Sequence, residues 1–182
     1  RGDGRPGDWL VSSGPHGLSR LGLALLQAPE GALAGELAGA LRRRAIRAHQ
    51  RPRPRFDAVR ALIASRPAAA SWRVGGCDSS DGLAAAVAAV AAMSGCAARL
   101  ERAALPIDPA LAALADAEAW CLGGGEDFEL VLALEPPWAA ALVEALPGSG
   151  VIGALVAGAA GELGWADGQP WPAAESGWRH FG

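Results

Sequence analysis

Apolar residues recur along this chain with two periods, near two and near 3.6, and the switches between them outline its elements. An apolar run at Trp9–Ser12 follows the turn Pro6-Gly7-Asp8 and predicts a strand. Gly14-Pro15-His16-Gly17 breaks it, and Leu18, Leu21, Leu25 and Leu26 then take helical spacing. After a flexible connection at 31–35, Leu37, Leu41 and Ile46 predict a helix over 36–49, with Arg42, Arg43, Arg44 and Arg47 largely outward. Arg51-Pro52-Arg53-Pro54-Arg55 is extended by its prolines, and Phe56, Val59, Leu62 and Ile63 carry a helix to Ser65.

Beyond Ser71, strand and helix patterns alternate. Strands are predicted over 72–77 and 97–101, with an alanine-rich buried helix over 80–94 between them. A short helix over 109–117 leads to a strand near Trp120 and a glycine loop, and Phe128, Leu130, Leu132 and Leu134 alternate as a strand. Pro136-Pro137 opens a helix reaching Leu146, and 151–156 with 162–165 read as a closing pair of strands. No repeat or linker interrupts this order. The prediction is one α+β domain over 1–182, helices on a mixed sheet, with 1–14 as lead-in strand and 170–182 as an irregular aromatic tail.

Composition narrows the function. Hydrophobic residues make up 51% and charged residues 19% of 182 positions, as in a chain with a core. A net charge of −3 argues against nucleic acid as a partner. The longest uncharged apolar run, Leu83–Met93, is far short of the roughly 20 residues a membrane span needs, and the polar start resembles no signal peptide. Cytoplasm is the expected compartment. Cys77, Cys96 and Cys121 are too dispersed for a standard zinc framework and fit reduced thiols. All 16 basic residues are arginines, so a phosphate-binding P-loop lysine is excluded. Phosphate chemistry here must rest on metal ions, arginine or backbone amides.

Three stretches carry candidate chemistry. In Cys77-Asp78-Ser79-Ser80-Asp81-Gly82-Leu83 a strand turns into a helix. Ser80 as helix cap and Asp81 in the first turn complete a purely structural reading. Equally, Asp78 and Asp81, three apart across a sharp turn, suit Mg²⁺, and the Ser80 hydroxyl can donate to phosphate. In Gly123-Gly124-Gly125-Glu126-Asp127-Phe128-Glu129-Leu130, glycines allow close backbone approach and deliver two carboxylates to a strand mouth. An ordinary glycine turn with solvated acids is the alternative. Gly177-Trp178-Arg179-His180-Phe181-Gly182 places aromatics where they can dock on the core or stack on a heteroaromatic ligand. The seven arginines from Arg42 to Arg55 read first as a solvated face.

Together these stretches resemble the thiamine-monophosphate kinase family, of the superfamily that includes aminoimidazole ribonucleotide synthetase and selenophosphate synthetase. The resemblance rests on Pro6-Gly7-Asp8-Trp9, Gly22-Leu23-Ala24-Leu25-Leu26 and His49-Gln50-Arg51-Pro52-Arg53-Pro54-Arg55. It continues through Asp78-Ser79-Ser80-Asp81-Gly82-Leu83, Gly124-Gly125-Glu126-Asp127-Phe128-Glu129-Leu130 and the aromatic terminus. It implies transfer of the ATP γ-phosphoryl group to thiamine monophosphate, in line and with several Mg²⁺ ions. Asp78 and Asp81 are then Mg²⁺ ligands, Ser80 touches ATP, and Glu126 and Trp178 bind substrate. Asp127 and Glu129 keep structural roles. Ala86 stands where many relatives carry another Asp. The resemblance also implies that the family's N-terminal ATP- and metal-binding domain, which supplies most of its homodimer interface, is absent here, so this piece alone is expected to be inactive. A related ATP-dependent enzyme with another acceptor, and a non-catalytic binding or assembly remnant, are the alternatives.

Overall fold

A computed structural model of the chain describes residues 1–172 and, within them, all side chains except those of Ala34 and Glu36. Trp178 lies outside the described residues. Six strands form one mixed sheet: β1 (Trp9–Ser12), β2 (Gly75–Asp78), β3 (Ala97–Leu100), β4 (Leu130–Leu134), β5 (Gly150–Val156) and β6 (Leu163–Trp165). Their spatial order is β2-β4-β1-β5-β3-β6, antiparallel except for the parallel β3–β6 pair. The α+β expectation is met, with one change in the expected closing pair of strands. The first strand sits in the interior of the sheet, and β6 pairs with β3 rather than closing against β5.

Helices cover both faces. They are α1 (Leu18–Gln27), α2 (Ala32–Glu36), α3 (Gly39–Gln50), α4 (Phe56–Ala64), α5 (Leu83–Met93), α6 (Ala117–Gly123) and α7 (Pro136–Ala145). The period-two rule splits each central strand between two cores. Leu10, Val131 and Ala133 face α5, whereas Val11, Leu132 and Leu134 face α4 and α7. That is why β4 reads Leu-Val-Leu-Ala-Leu without a polar position: both of its faces are covered. Burying each such leucine stabilises the fold by about 1.5–3 kcal/mol. A third, smaller core joins α1 to α3 through Leu21, Leu25 and Ala45. Gly22 makes this approach possible, since a Cβ there would lie 2.1 Å from the Ala45 carbonyl oxygen.

Several expected elements differ. The segment around Trp120 is helix α6, because Ala117 and Cys121, four apart, are both buried on one helical face. The helix expected over 109–117 is only a 3₁₀ turn at Pro109–Leu111. The connection at 31–35 contains the short helix α2, and the long helix after it begins at Gly39. Helix α5 begins at Leu83 rather than Ser80. Its N-cap is Gly82 at φ 106, with no side-chain cap bond, so Ser80 is not the cap expected. Strand β4 begins at Leu130 because Phe128 holds φ 54, outside the extended region. Among the described residues no helix is long and apolar enough to cross a membrane. Cys96 and Cys121 are buried and Cys77 partly so, all without disulfides.

Candidate functional site

Sheet register gathers three loops at one edge. Asp78 pairs with Leu130, and Ser12 with Val131, so the ends of β2 and β1 and the start of β4 lie side by side. The segments that leave them are the loop 13–17, the turn 78–82 and the glycine loop 124–129. Backbone bonds then lock the turn to the glycine loop. The Glu126 amide donates to the Ser80 carbonyl oxygen (2.7 Å), and the Ser79 amide to the Glu129 carbonyl (2.8 Å). The Glu129 amide in turn donates to Ser79 Oγ (3.1 Å). Gly125, at φ 67, permits this closeness: a Cβ there would meet the Ser80 oxygen at 2.9 Å.

The carboxylates of the glycine loop diverge. Glu126 and Phe128 both adopt left-handed backbone, φ 55 and 54, at a cost of order 1–3 kcal/mol each. Asp127 between them turns inward and accepts from the amides of Gly17 (2.8 Å) and Ser19 (3.1 Å) at the start of α1. Burial pushes its carboxyl up to about 7, against the pull of those two amides. Glu129 is partly buried against the Ser13 hydroxyl and the Arg55 guanidinium; desolvation raises its pKa and these two partners oppose the rise. Both residues thus hold structure together. Glu126 instead faces outward with a 57% exposed side chain, and its Oε2 lies 3.1 Å from His49 Nδ1.

A cleft of about 510 Å³ opens here, with Ser80, Asp81, Glu126, Arg20, His49 and Phe128 among its walls. That volume suits a small organic ligand. Three residues singled out from sequence therefore share one cavity. Asp78 does not: it borders a neighbouring apolar cleft of about 370 Å³ with Phe56 and Val59, on the other side of Phe128. Asp78 is exposed and Asp81 partly buried, and no group of three or more His, Cys, Asp or Glu among the described residues could hold a metal. Mg²⁺ commonly takes one or two carboxylates from protein and completes its shell with water and phosphate oxygens, and of Asp78 and Asp81 only Asp81 lines the cleft with Ser80 and Glu126.

Sequence reasoning missed His16, His49 and Arg20. His16 is fully buried with Nε2 2.9 Å from Ser79 Oγ, and burial lowers its pKa to about 4. It anchors the 78–82 turn from a partner 63 positions away, a distance no local pattern can bridge. His49 lay in view, in the His-Gln-Arg-Pro stretch, but without metal-ligand spacing. The arginine tract is largely solvated, with Arg43, Arg44, Arg47, Arg51 and Arg53 exposed along a wide cleft beside Glu126, while Arg44 also pairs with buried Asp108 and Arg55 with Glu129.

Residues 5–166 match the family described as AIR synthase related protein, C-terminal domain. The chain belongs to that family. Among its AIR synthase related relatives is the thiamine-monophosphate kinase of Prochlorococcus marinus, 40% identical over 93% of this chain and 50% of the relative. The thiamine-monophosphate kinase of Synechococcus elongatus is 49% identical over 80% of this chain and 43% of the relative. The solved complex of AaThiL with AMPPCP and TMP superposes with a TM-score of 0.75 at 26% identity, over 99% of this chain and 53% of that one. This AIR synthase related chain spans about half the length of the curated relatives it matches.

Proposed function

We propose that the polypeptide carrying this chain is an ATP-dependent thiamine-monophosphate kinase, and that the cleft of Ser80, Asp81 and Glu126 is its part of the substrate site. The observation that carries this is the bond from the Glu126 amide to the Ser80 carbonyl. It makes one wall from the two stretches that resemble the kinase family. The solved relative with AMPPCP and TMP supports the same ligand pair.

Glu126 is suited to accept from the aminopyrimidine of thiamine, with His49 orienting its carboxylate. Trp178 is proposed to pack against the ligand rings. Ser80 would donate to a nucleotide phosphate. Asp81, and Asp78 from the neighbouring cleft, would each hold Mg²⁺, which supplies charge neutralisation between phosphates when bound. In the reaction a phosphate oxygen of thiamine monophosphate bonds to the γ-phosphorus as the bond to ADP breaks, giving thiamine diphosphate and ADP. The chain's own residues would position the two phosphates; no covalent enzyme intermediate is required.

We place the rest of the nucleotide site, and a homodimer contact, in the part of the full-length protein beyond this chain, and its action in the cytoplasm, where ATP is supplied. The test is to incubate the full-length polypeptide with Mg-ATP and thiamine monophosphate and separate the products chromatographically. Stoichiometric thiamine diphosphate and ADP are expected. Phosphorylation of another acceptor instead would replace thiamine monophosphate as substrate, and the 182-residue chain by itself is expected to show no turnover.

A further inference from the structure

Arg20 enters the cleft from α1, between the glycine loop and the aromatic ring of Trp120. Its Cβ and Cγ lie against Gly124, where an added Cβ would meet them at 2.7 and 3.2 Å. Its Cζ stands 5.9 Å from the Trp120 ring centroid, a cation–π contact that holds the guanidinium in place. The side chain is thus fixed on the wall it shares with Ser80, Asp81 and Glu126.

One guanidinium nitrogen has nothing to bond to. Nη1 of Arg20 is buried and has no hydrogen-bond partner among the described residues. A buried N–H of a charged group bears the full loss of hydration unless something accepts from it, so such orphans call for a ligand, an ion or a water. Arg73 is different. Its Nε is also unpaired, but both of its Nη atoms bond Asp8. Arg20 has no such carboxylate partner for Nη1 among the described residues and belongs to a residue wall that lines a cavity.

We propose that Arg20 is a phosphate-binding residue of this cleft, contacting phosphate oxygens of the ligand that Ser80, Asp81 and Glu126 surround. The planar guanidinium fork matches the spacing of phosphate oxygens and engages two of them at once. The cleft already holds the carboxylates Asp81 and Glu126, so an entering phosphate needs a fixed positive charge, and Arg20 provides it from the protein. With Ser80 it makes a donor pair for the anionic end, while Glu126 remains free for a polar donor on the ligand. This deepens, and rests on, the reading of the cleft as a phosphate-ester site.

The test is isothermal titration of the full-length polypeptide, in Mg²⁺, with inorganic pyrophosphate, thiamine monophosphate and unphosphorylated thiamine, comparing wild type with Arg20→Gln and Arg20→Lys. Loss of one charge-assisted phosphate contact should weaken both phosphate ligands by about tenfold to a hundredfold in Arg20→Gln. Arg20→Lys should recover part of that loss, and thiamine should bind all three proteins equally. If Arg20→Gln does not fold, Arg20→Lys decides: the single point charge should still bind phosphate more weakly than the fork. Equal affinity of wild type and variants for both phosphate ligands would show that water satisfies Nη1, and the assignment falls while the thiamine reading stands. Arg20-dependent binding of pyrophosphate without binding of thiamine monophosphate keeps the assignment and removes the thiamine reading. Failure of wild type to bind either phosphate ligand overturns both.

Discussion

The amide of Glu126 donates to the carbonyl oxygen of Ser80 at 2.7 Å, joining two loops that are 46 positions apart in sequence but leave adjacent strands. This bond makes the turn after β2 and the loop before β4 a single wall. It also explains why Ser80 does not cap α5, since the 78–82 turn is shaped by its partner loop and hands the helix start to Gly82.

The same wall depends on Gly125. Gly125→Ala puts a methyl 2.9 Å from the Ser80 oxygen on a backbone at φ 67. The expected cost is about 1–3 kcal/mol of stability, read as a lower urea midpoint at unchanged m-value. Gly22→Ala should cost at least as much, because there the added carbon meets the rigid Ala45 backbone at 2.1 Å.

Arg55 and Glu129 are 14% and 12% exposed, an ion pair held largely out of water. Arg55→Met leaves the Glu129 carboxylate buried beside Ser13 without its counter-charge. A loss of about 3–5 kcal/mol is expected in denaturant titration. Pairing it with Glu129→Leu should return much of that loss, since the uncompensated charge goes with it.

Asp127 and His16 give opposite pH dependences. Asp127 has a carboxyl raised from 3.8 to about 7, so the folded state holds its proton more tightly than the unfolded chain. Its contribution to stability is present at low pH and is lost as pH rises from about 4 to about 7. His16, lowered from 6.5 to about 4, acts in reverse: its neutral form is favoured on folding, and stability is lost as pH falls through that window. Thermal melts from pH 4 to 8 should show Asp127→Asn flattening the first slope and His16→Gln the second. Variants that leave both slopes unchanged would contradict these assignments.

Much of the fold was legible because hydrophobic period and turn chemistry agree in it. Leu10 and Val11, or Val131 and Leu132, declare strands whose two faces are both buried, and Pro136-Pro137 announces α7. The run Ala-Trp-Cys-Leu before Gly123 was too short for periodicity alone to separate helix from strand. Only the four-residue spacing of Ala117 and Cys121, both buried, the first in the third core and the second in the core under α5, marks it as α6. In the site, Ser80, Asp81 and Glu126 were visible through motif resemblance. His16 and Arg20 were not, because their roles arise from partners far along the chain: Ser79 for the first, Gly124 and Trp120 for the second.

Steady-state kinetics of Glu126→Gln in the full-length polypeptide test the central claim most directly. If Glu126 belongs to the thiamine side of the cleft, the KM for thiamine monophosphate should rise about tenfold or more, as expected for loss of one charged hydrogen bond, with the KM for ATP unchanged. An unchanged KM for thiamine monophosphate, or a rise confined to ATP, would contradict the account.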